Sequence, residues 1–227
     1  GVNIVPEFDM PAHALPITRA FPSIQSTTAG GHGWLIEELD LTQIDAVTKL
    51  AEDIWNDYFT DYDGNGPVFD EETTVHIGTD EFHGGNHAGT QVETQQGKEL
   101  FRQFSANMIN FIQGTGRTVR MWGSLTNKAG TTQVPAEKVQ LNVWNTGYAD
   151  PAAMYDLGYD LINTLEGPNY IVPAAGYYND YVNAQSIYSS WQPNVIGNKT
   201  LMAGDDQMLG GCYAIWHDSI DTRANGI

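Results

Sequence analysis

The chain has one cysteine, Cys212, so no disulfide can form within it and no thiolate set is available for a metal. Cys212 lies in an apolar, strand-like run and reads as a small buried side chain. No apolar run approaches the roughly 20 residues that a membrane-crossing helix needs, and no signal-peptide pattern is visible. Basic residues are scarce. Ten Lys and Arg stand against 28 Asp and Glu, giving a formal net charge of −18. That balance repels phosphate backbones and anionic membrane surfaces, so neither nucleic-acid binding nor membrane insertion is expected. Neither GxGxxG nor GxxxxGK[ST] occurs, which removes the sequence support for nucleotide binding. Internal repeats are also lacking.

What remains is a folded chain: 227 residues, 41% hydrophobic and 11% aromatic, enough for one domain with a real core. Apolar residues Ile44, Val47, Leu50, Ala51, Ile54, Trp55 and Tyr58 recur at helical steps, and DYDGNGP (61–67) breaks the run. A second helix is predicted over roughly 93–113, with Leu100, Phe101, Phe104, Met108, Phe111 and Ile112 on its buried side. Short helices are expected near 151–157 and 185–191. Six core strands are predicted near 2–6, 73–77, 118–122, 139–144, 160–163 and 211–216. Almost every one ends in Trp, His, Asp or Glu. Strands separated by helices or long polar loops, with reactive groups at their C-terminal ends, point to a parallel α/β barrel.

The strongest chemical signal is HIGTDE (76–81), which puts Asp80 and Glu81 side by side at the end of a buried strand. Neighbouring residues cannot flank a sugar ring as the two carboxyls of an ordinary glycosidase do, about 5–5.5 Å apart across the scissile bond. The pair makes better sense if one acid protonates the leaving oxygen and the other steers a group on the substrate. Rings and polar groups at the other strand ends suit a sugar, which offers flat apolar faces and hydroxyls. An apolar cage and the adjacent Asp80 carboxylate would both push the Glu81 pKa up. His83 and His87 lie four apart in a glycine-rich loop, but flanking glycines and the lack of a third ligand argue against metal. His76 reads as structural, and Trp191 fits either a rim or a packing position.

In order along the chain, EFDMPAH, HIGTDEF, RMW, NVW, YYNDY and AIWHD resemble glycoside hydrolase family 20, which holds β-N-acetylhexosaminidases and lacto-N-biosidases. The resemblance runs from Val2 to Asp218. It implies a TIM-type (β/α)8 barrel and a retaining mechanism in which the substrate's 2-acetamido group is the nucleophile, an exception among glycosidases. It makes Glu81 the acid/base, Asp80 the partner of the acetamido N–H, and Tyr178 the donor to the acetamido oxygen. His13 would support Glu81, Asp180 and Asp218 would bind sugar hydroxyls, and Trp122, Trp144 and Trp216 would wall the pocket. No cofactor or metal is implied, and the partner is a glycan.

The chain departs from the family in ways that matter. Only strands three to eight are matched, so residues 1–227 read as a partial barrel lacking the first two strands and the last helix. The missing remainder, or a dimer partner, would have to close it. The arginine that grips the nonreducing sugar has no counterpart, since Arg19 falls in the loop after His13. Aspartate at 218 and the DMPAHAL block favour the lacto-N-biosidase branch, with exo-β-N-acetylhexosaminidase as the alternative and a noncatalytic carbohydrate-binding remnant as another. A barrel hydrolase without acetamido participation would need a second carboxylate across from Glu81. A secreted or cell-surface bacterial protein is expected.

Overall fold

The computed structural model describes residues 1–26, 37–83 and 94–218. It divides into two compact units, 1–140 and 141–227. The elements in chain order are β1 (Glu7–Met10), α1 (Leu15–Ala20), α2 (Ile44–Phe59), β2 (Val75–Gly78), α3 (Gln95–Gly114), β3 (Val119–Trp122) and β4 (Val139–Val143). There follow α4 (Pro151–Leu157), β5 (Asp160–Asn163), α5 (Glu166–Asn169), β6 (Tyr170–Ile171) and α6 (Ala184–Ser190). The hairpin β7 (Val195–Ile196) and β8 (Lys199–Thr200), then β9 (Met208–Gly211) and β10 (Ala214–Ile215), complete the series.

In the first unit β2 lies between β1 and β3, both pairs parallel. Every residue of β2 is buried, as expected of a strand covered on both faces. Helix α2 buries Val47, Thr48, Ala51 and Trp55 and contacts α3, which buries Phe101, Phe104, Met108, Ile109 and Ile112. Side-chain caps set two helix starts: Thr94 accepts from the Gly97 N–H, and Asp150 from the Ala153 N–H. In the second unit β5 pairs in parallel with β9, and β6 with β10. Thr164 N–H donates to Val143 O, tying the end of β5 to β4. The architecture is thus a mostly parallel sheet with helices, as predicted.

Three boundaries differ from the sequence reading. Residues 2–6 are not a buried strand: Val2 is 93% and Ile4 78% exposed, and the strand instead carries EFDM. The pairing begins where His76 N–H meets Pro6 O, so the polar motif is itself the strand. The run 211–216 holds only the last residue of β9 and the whole of β10, and the two strands pair with β5 and β6. Cys212, between them, is half-buried and donates to Tyr213 O; it is not a core side chain. The third is Tyr170–Ile171, a paired strand that the sequence reading did not count.

Trp55 is fully buried and meets Phe8 edge-on at 4.6 Å between ring centroids. Trp55→Ala is expected to cost about 3–5 kcal/mol of unfolding free energy, read from urea denaturation.

Candidate active site

The first unit's candidate site is assembled at the C-terminal ends of β1, β2 and β3. Gly78, at the end of β2, has φ of +70°, and a Cβ there would lie 1.8 Å from Asp9 Oδ1. Only glycine allows that approach. The same Asp9 oxygen accepts the Thr79 N–H at 3.1 Å, and the Thr79 hydroxyl donates to Gly78 O, with Trp122 O a further acceptor within 3.3 Å. Three strand ends are therefore cross-tied through Asp9 and Thr79. Thr79, Glu81 and His13 all adopt positive φ, +81°, +48° and +52°. Such backbone is costly for residues with a Cβ, and it clusters at functional sites. Phe82 is buried and stacks on Phe101 of α3, which fixes the chain just after Glu81.

His13 Nε2 lies 3.2 Å from Glu81 Oε2 and 3.7 Å from Asp80 Oδ2, and its Nδ1 is 3.8 Å from Glu37. The Glu81 hydrogen bond, aided by the charges of Asp80, Glu81 and Glu37, outweighs partial burial and raises the His13 pKa to about 9. Glu81 is correspondingly lowered, chiefly by His13. This corrects the expectation that aromatic surroundings and Asp80 would raise Glu81. Its side chain is 41% exposed, and an imidazolium faces it, so attraction exceeds desolvation. Asp80 and Asp9 are both pushed up, foremost by burial, and the two carboxyls lie close enough to interact. No backbone, amide or hydroxyl donor meets Asp80 Oδ1, which is buried. A cavity of about 260 Å³ opens beside His13, Glu37, Glu38, Glu81 and His83.

Sequence reasoning missed Glu7. It accepts from Trp122 Nε1 at 2.8 Å, and burial raises its pKa to about 7 against that bond. The signal was available in EFDMPAH, where Glu7 and Asp9 alternate along one strand. It also missed Glu38, buried at 1% exposure, which accepts both the His83 backbone N–H and its Nδ1 hydrogen. Glu38 is thus the partner of His83, while His87 lies outside the described residues. Among the described residues one group has metal-like spacing: Asp9, His13 and Asp80 put ligand atoms within 4.8 Å of one another. Each already has a partner in that network, His13 in Glu81 and the two aspartates in each other. His76 is buried, accepts the Gly78 N–H at Nδ1 and packs on Trp122 at 5.1 Å.

The second unit gathers the other predicted residues. Tyr178 donates to Glu166 Oε2 at 2.6 Å, and Asn145 Nδ2 donates to Glu166 Oε1 at 2.8 Å. Tyr170 stands edge-on to both Tyr178 and Trp216, at 5.3 and 5.9 Å. Trp144 is buried against Tyr148. Tyr177 donates to Asp218 Oδ2 at 2.6 Å. Asp180 accepts the Ala174 N–H at 2.8 Å. Trp191 packs on Gly211, where a Cβ would come within 2.3 Å of its ring, so it is a packing residue. Arg19 lies in the last turn of α1 and is exposed.

The model of the glycosyl hydrolase family 20 catalytic domain matches residues 1–226. The chain belongs to this family. No curated protein matches it. Among solved structures, the family 20 chain resembles a β-N-acetylhexosaminidase from Bacteroides fragilis at 18% identity and TM-score 0.62. That match covers 96% of this chain and 43% of the other. It also resembles the family 20 exo β-N-acetylglucosaminidase of Vibrio harveyi, as its D437A inactive mutant: 17% identity, TM-score 0.66, covering 100% and 36%. A third is the pneumococcal virulence factor StrH, at 16% identity and TM-score 0.65, covering 96% and 55%. At these identities the likeness establishes the fold, and the family 20 chain spans 36–55% of the three solved chains.

Two outcomes follow for the family 20 chain. Followed by NMR, the His13 ring should titrate near pH 9 and move back toward its ordinary 6.5 in Glu81→Gln. Because the folded pKa is raised, the pair's contribution to stability is complete below about 6.5 and lost as pH climbs through about 9. Gly78→Ala should displace Asp9 and destabilise the fold by more than ~2 kcal/mol in denaturant titrations.

Proposed function

We propose that this chain carries the catalytic groups of an exo-acting β-N-acetylhexosaminidase that uses the substrate's own 2-acetamido group as nucleophile. The observation that carries the reading is the buried Asp80 Oδ1, an acceptor that no backbone, amide or hydroxyl donor of the described residues meets, next to Glu81. A buried carboxylate oxygen left without a donor is costly. An acetamido N–H is the donor that would complete it. Holding the N–H there aims the acetamido carbonyl oxygen at the anomeric carbon.

Glu81 then serves the leaving group. The carbonyl oxygen attacks C1, the C1–O bond breaks, and the glycosidic oxygen takes a proton from Glu81. The product of this step is a bicyclic oxazolinium ion. Water, deprotonated by Glu81, opens it with retention. Glu81 must begin this cycle protonated, yet the free site holds it ionised against His13. The two groups share one proton. An apolar sugar face that excludes water disfavours the ion pair and favours neutral imidazole with protonated carboxyl. Sugar binding is thus what arms the acid. His13 is the proton store, and Glu7, with a pKa near 7, adds a further titrating group in the same unit.

Tyr178 and Tyr170 are the candidates in the second unit for the acetamido oxygen; Tyr178 already has Glu166 as its acceptor. Release of one sugar is favoured over release of lacto-N-biose for a specific reason. The shorter Asp218 was expected to leave room for a substituted sugar, but Tyr177 hydrogen-bonds its carboxylate. The V. harveyi structure is named for an exo-acting β-N-acetylglucosaminidase, which supports the same choice. No helix among the described residues is long and apolar enough to cross a membrane. With an acidic surface and similar structures from bacteria, a secreted or surface-held bacterial enzyme is the setting proposed.

Aryl β-N-acetylglucosaminide should be cleaved and aryl β-lacto-N-bioside left intact. Asp80→Asn should lower kcat on the first by about 10²–10³-fold. Exchanging the acetyl group for trifluoroacetyl weakens its carbonyl as a nucleophile and should lower kcat as well. Equal turnover of the matching aryl glucoside would sink the participation mechanism, and cleavage of the bioside alone would restore the lacto-N-biosidase reading.

A further inference from the structure

Asp9, His13 and Asp80 each bring one ligand atom within 4.8 Å of the others. Asp9 lies on β1 and His13 just beyond it, while Asp80 follows the end of β2. The charges of Asp80 and Glu7 both act on Asp9. Carboxylates this close repel unless a proton or a cation stands among them, and a divalent ion neutralises two at once. One more observation points to a ligand. Asp80 Oδ1 is buried, and no backbone, amide or hydroxyl donor of the described residues meets it.

The donor set selects the kind of ion. An imidazole nitrogen beside carboxylate oxygens suits Zn²⁺, Cu²⁺ or Ni²⁺, whereas Ca²⁺ and Mg²⁺ take oxygen ligands. Zinc bonds of about 2.0–2.2 Å put tetrahedral donors roughly 3.4 Å apart. His13 Nε2 lies 3.7 Å from Asp80 Oδ2 and 3.2 Å from Glu81 Oε2, close to that spacing, and Glu81 thereby offers a fourth ligand. The His13 side chain is 41% exposed, so its ring can close the remaining distance to Asp9. An entry path exists as well. The cavity of about 260 Å³ is lined by His13 and Glu81 together with the acids Glu37 and Glu38. In a chain of net charge −18, such a mouth concentrates cations.

We infer that Asp9, His13 and Asp80, with Glu81 alongside, bind zinc or a similar transition-metal ion, and that the bound ion reversibly shuts the reaction centre. The ion takes the Asp80 carboxylate that an acetamido N–H would otherwise use, together with the His13 nitrogen and the Glu81 oxygen between which the proton is shared. The Nε2 proton of His13 leaves for solvent as that nitrogen becomes a ligand. Ion and sugar therefore exclude one another. That competition rests on the proposed function; the ion site itself does not.

The test titrates the whole chain with zinc chloride, followed by calorimetry and by NMR of the histidine rings. Zinc should shift the His13 ring signals before those of any other histidine. His13→Gln should weaken zinc binding by about 100-fold, while His83→Gln, which removes the neighbouring imidazole, should leave it unchanged. Copper should bind more tightly than zinc and manganese more weakly, and magnesium should give no binding heat. On aryl β-N-acetylglucosaminide, zinc should raise KM without lowering kcat, and a chelator should reverse the effect. Zinc affinity unchanged in His13→Gln, no binding below about 1 mM, or first shifts at another histidine overturns the site. Magnesium binding as tightly as zinc also overturns it, and so does zinc lowering kcat with KM unchanged. Should the protein turn over no aryl substrate, the proposed function fails, while calorimetry and NMR still decide the ion site.

Discussion

The contact between the Asp9 carboxyl and the backbone of Gly78 sets the geometry on which the first unit's chemistry depends. β1 and β2 can close to that distance only because position 78 has no Cβ and tolerates a φ of +70°. Once closed, Asp9 draws in the Thr79 N–H, and the next two residues must be Asp80 and Glu81, at fixed places relative to β1. His13, four residues beyond Asp9 on the same segment, then has Glu81 at hydrogen-bond distance. One steric permission at a glycine is thereby converted into the placement of two acids and a base. The positive φ of Thr79, Glu81 and His13 is the local cost of that arrangement, offset by buried ties such as the Thr79 hydroxyl to Gly78 O and the stacking of Phe82 on Phe101.

Electrostatics then divides the labour among the acids. Asp9, Asp80 and Glu7 are all pushed up by burial, whereas Glu81, more open and beside an imidazolium, is pushed down. A cluster of carboxylates this dense cannot ionise completely, so protons are retained where water is least accessible. In the proposed cycle the protonated His13 is the store from which Glu81 draws. Acids of similar intrinsic strength are therefore pushed in opposite directions within one cluster, Asp9, Asp80 and Glu7 up and Glu81 down.

Much of this was legible from residues alone, and the exceptions have physical causes. Helices α2 and α3 follow directly from apolar spacing, because burial of one face fixes periodicity. β2 and β5 follow from short apolar runs. β1 was misplaced because VNIVP is more apolar than EFDM, and hydrophobicity is a poor guide where the strand itself carries the site. The Asp80–Glu81 pair and His13 were found from motif order, but the sense of the Glu81 shift was not. Adjacent residues announce Asp80, whereas the stronger influence, His13, sits 68 positions away. Glu7, Glu38 and Glu166 went unseen for the same reason: each is defined by a partner distant in sequence, Trp122, His83 and the Asn145–Tyr178 couple.

The partners also separate acids that work from acids that hold. Glu38 accepts from His83, Glu166 from Tyr178 and Asn145, and Asp218 from Tyr177. Each owes part of its orientation to donors from within the protein. Asp80 differs in that its buried Oδ1 is left without such a donor. Leaving it so costs stability, since a desolvated acceptor recovers nothing from water. A hydrogen supplied from outside the fold would remove that cost. The same cost makes the contact selective: a ligand that lacks the N–H leaves the oxygen unfilled, and the penalty then counts against that ligand. Discrimination between an acetamido sugar and a plain one can therefore reside in the absence of a protein donor as much as in the presence of a binding group.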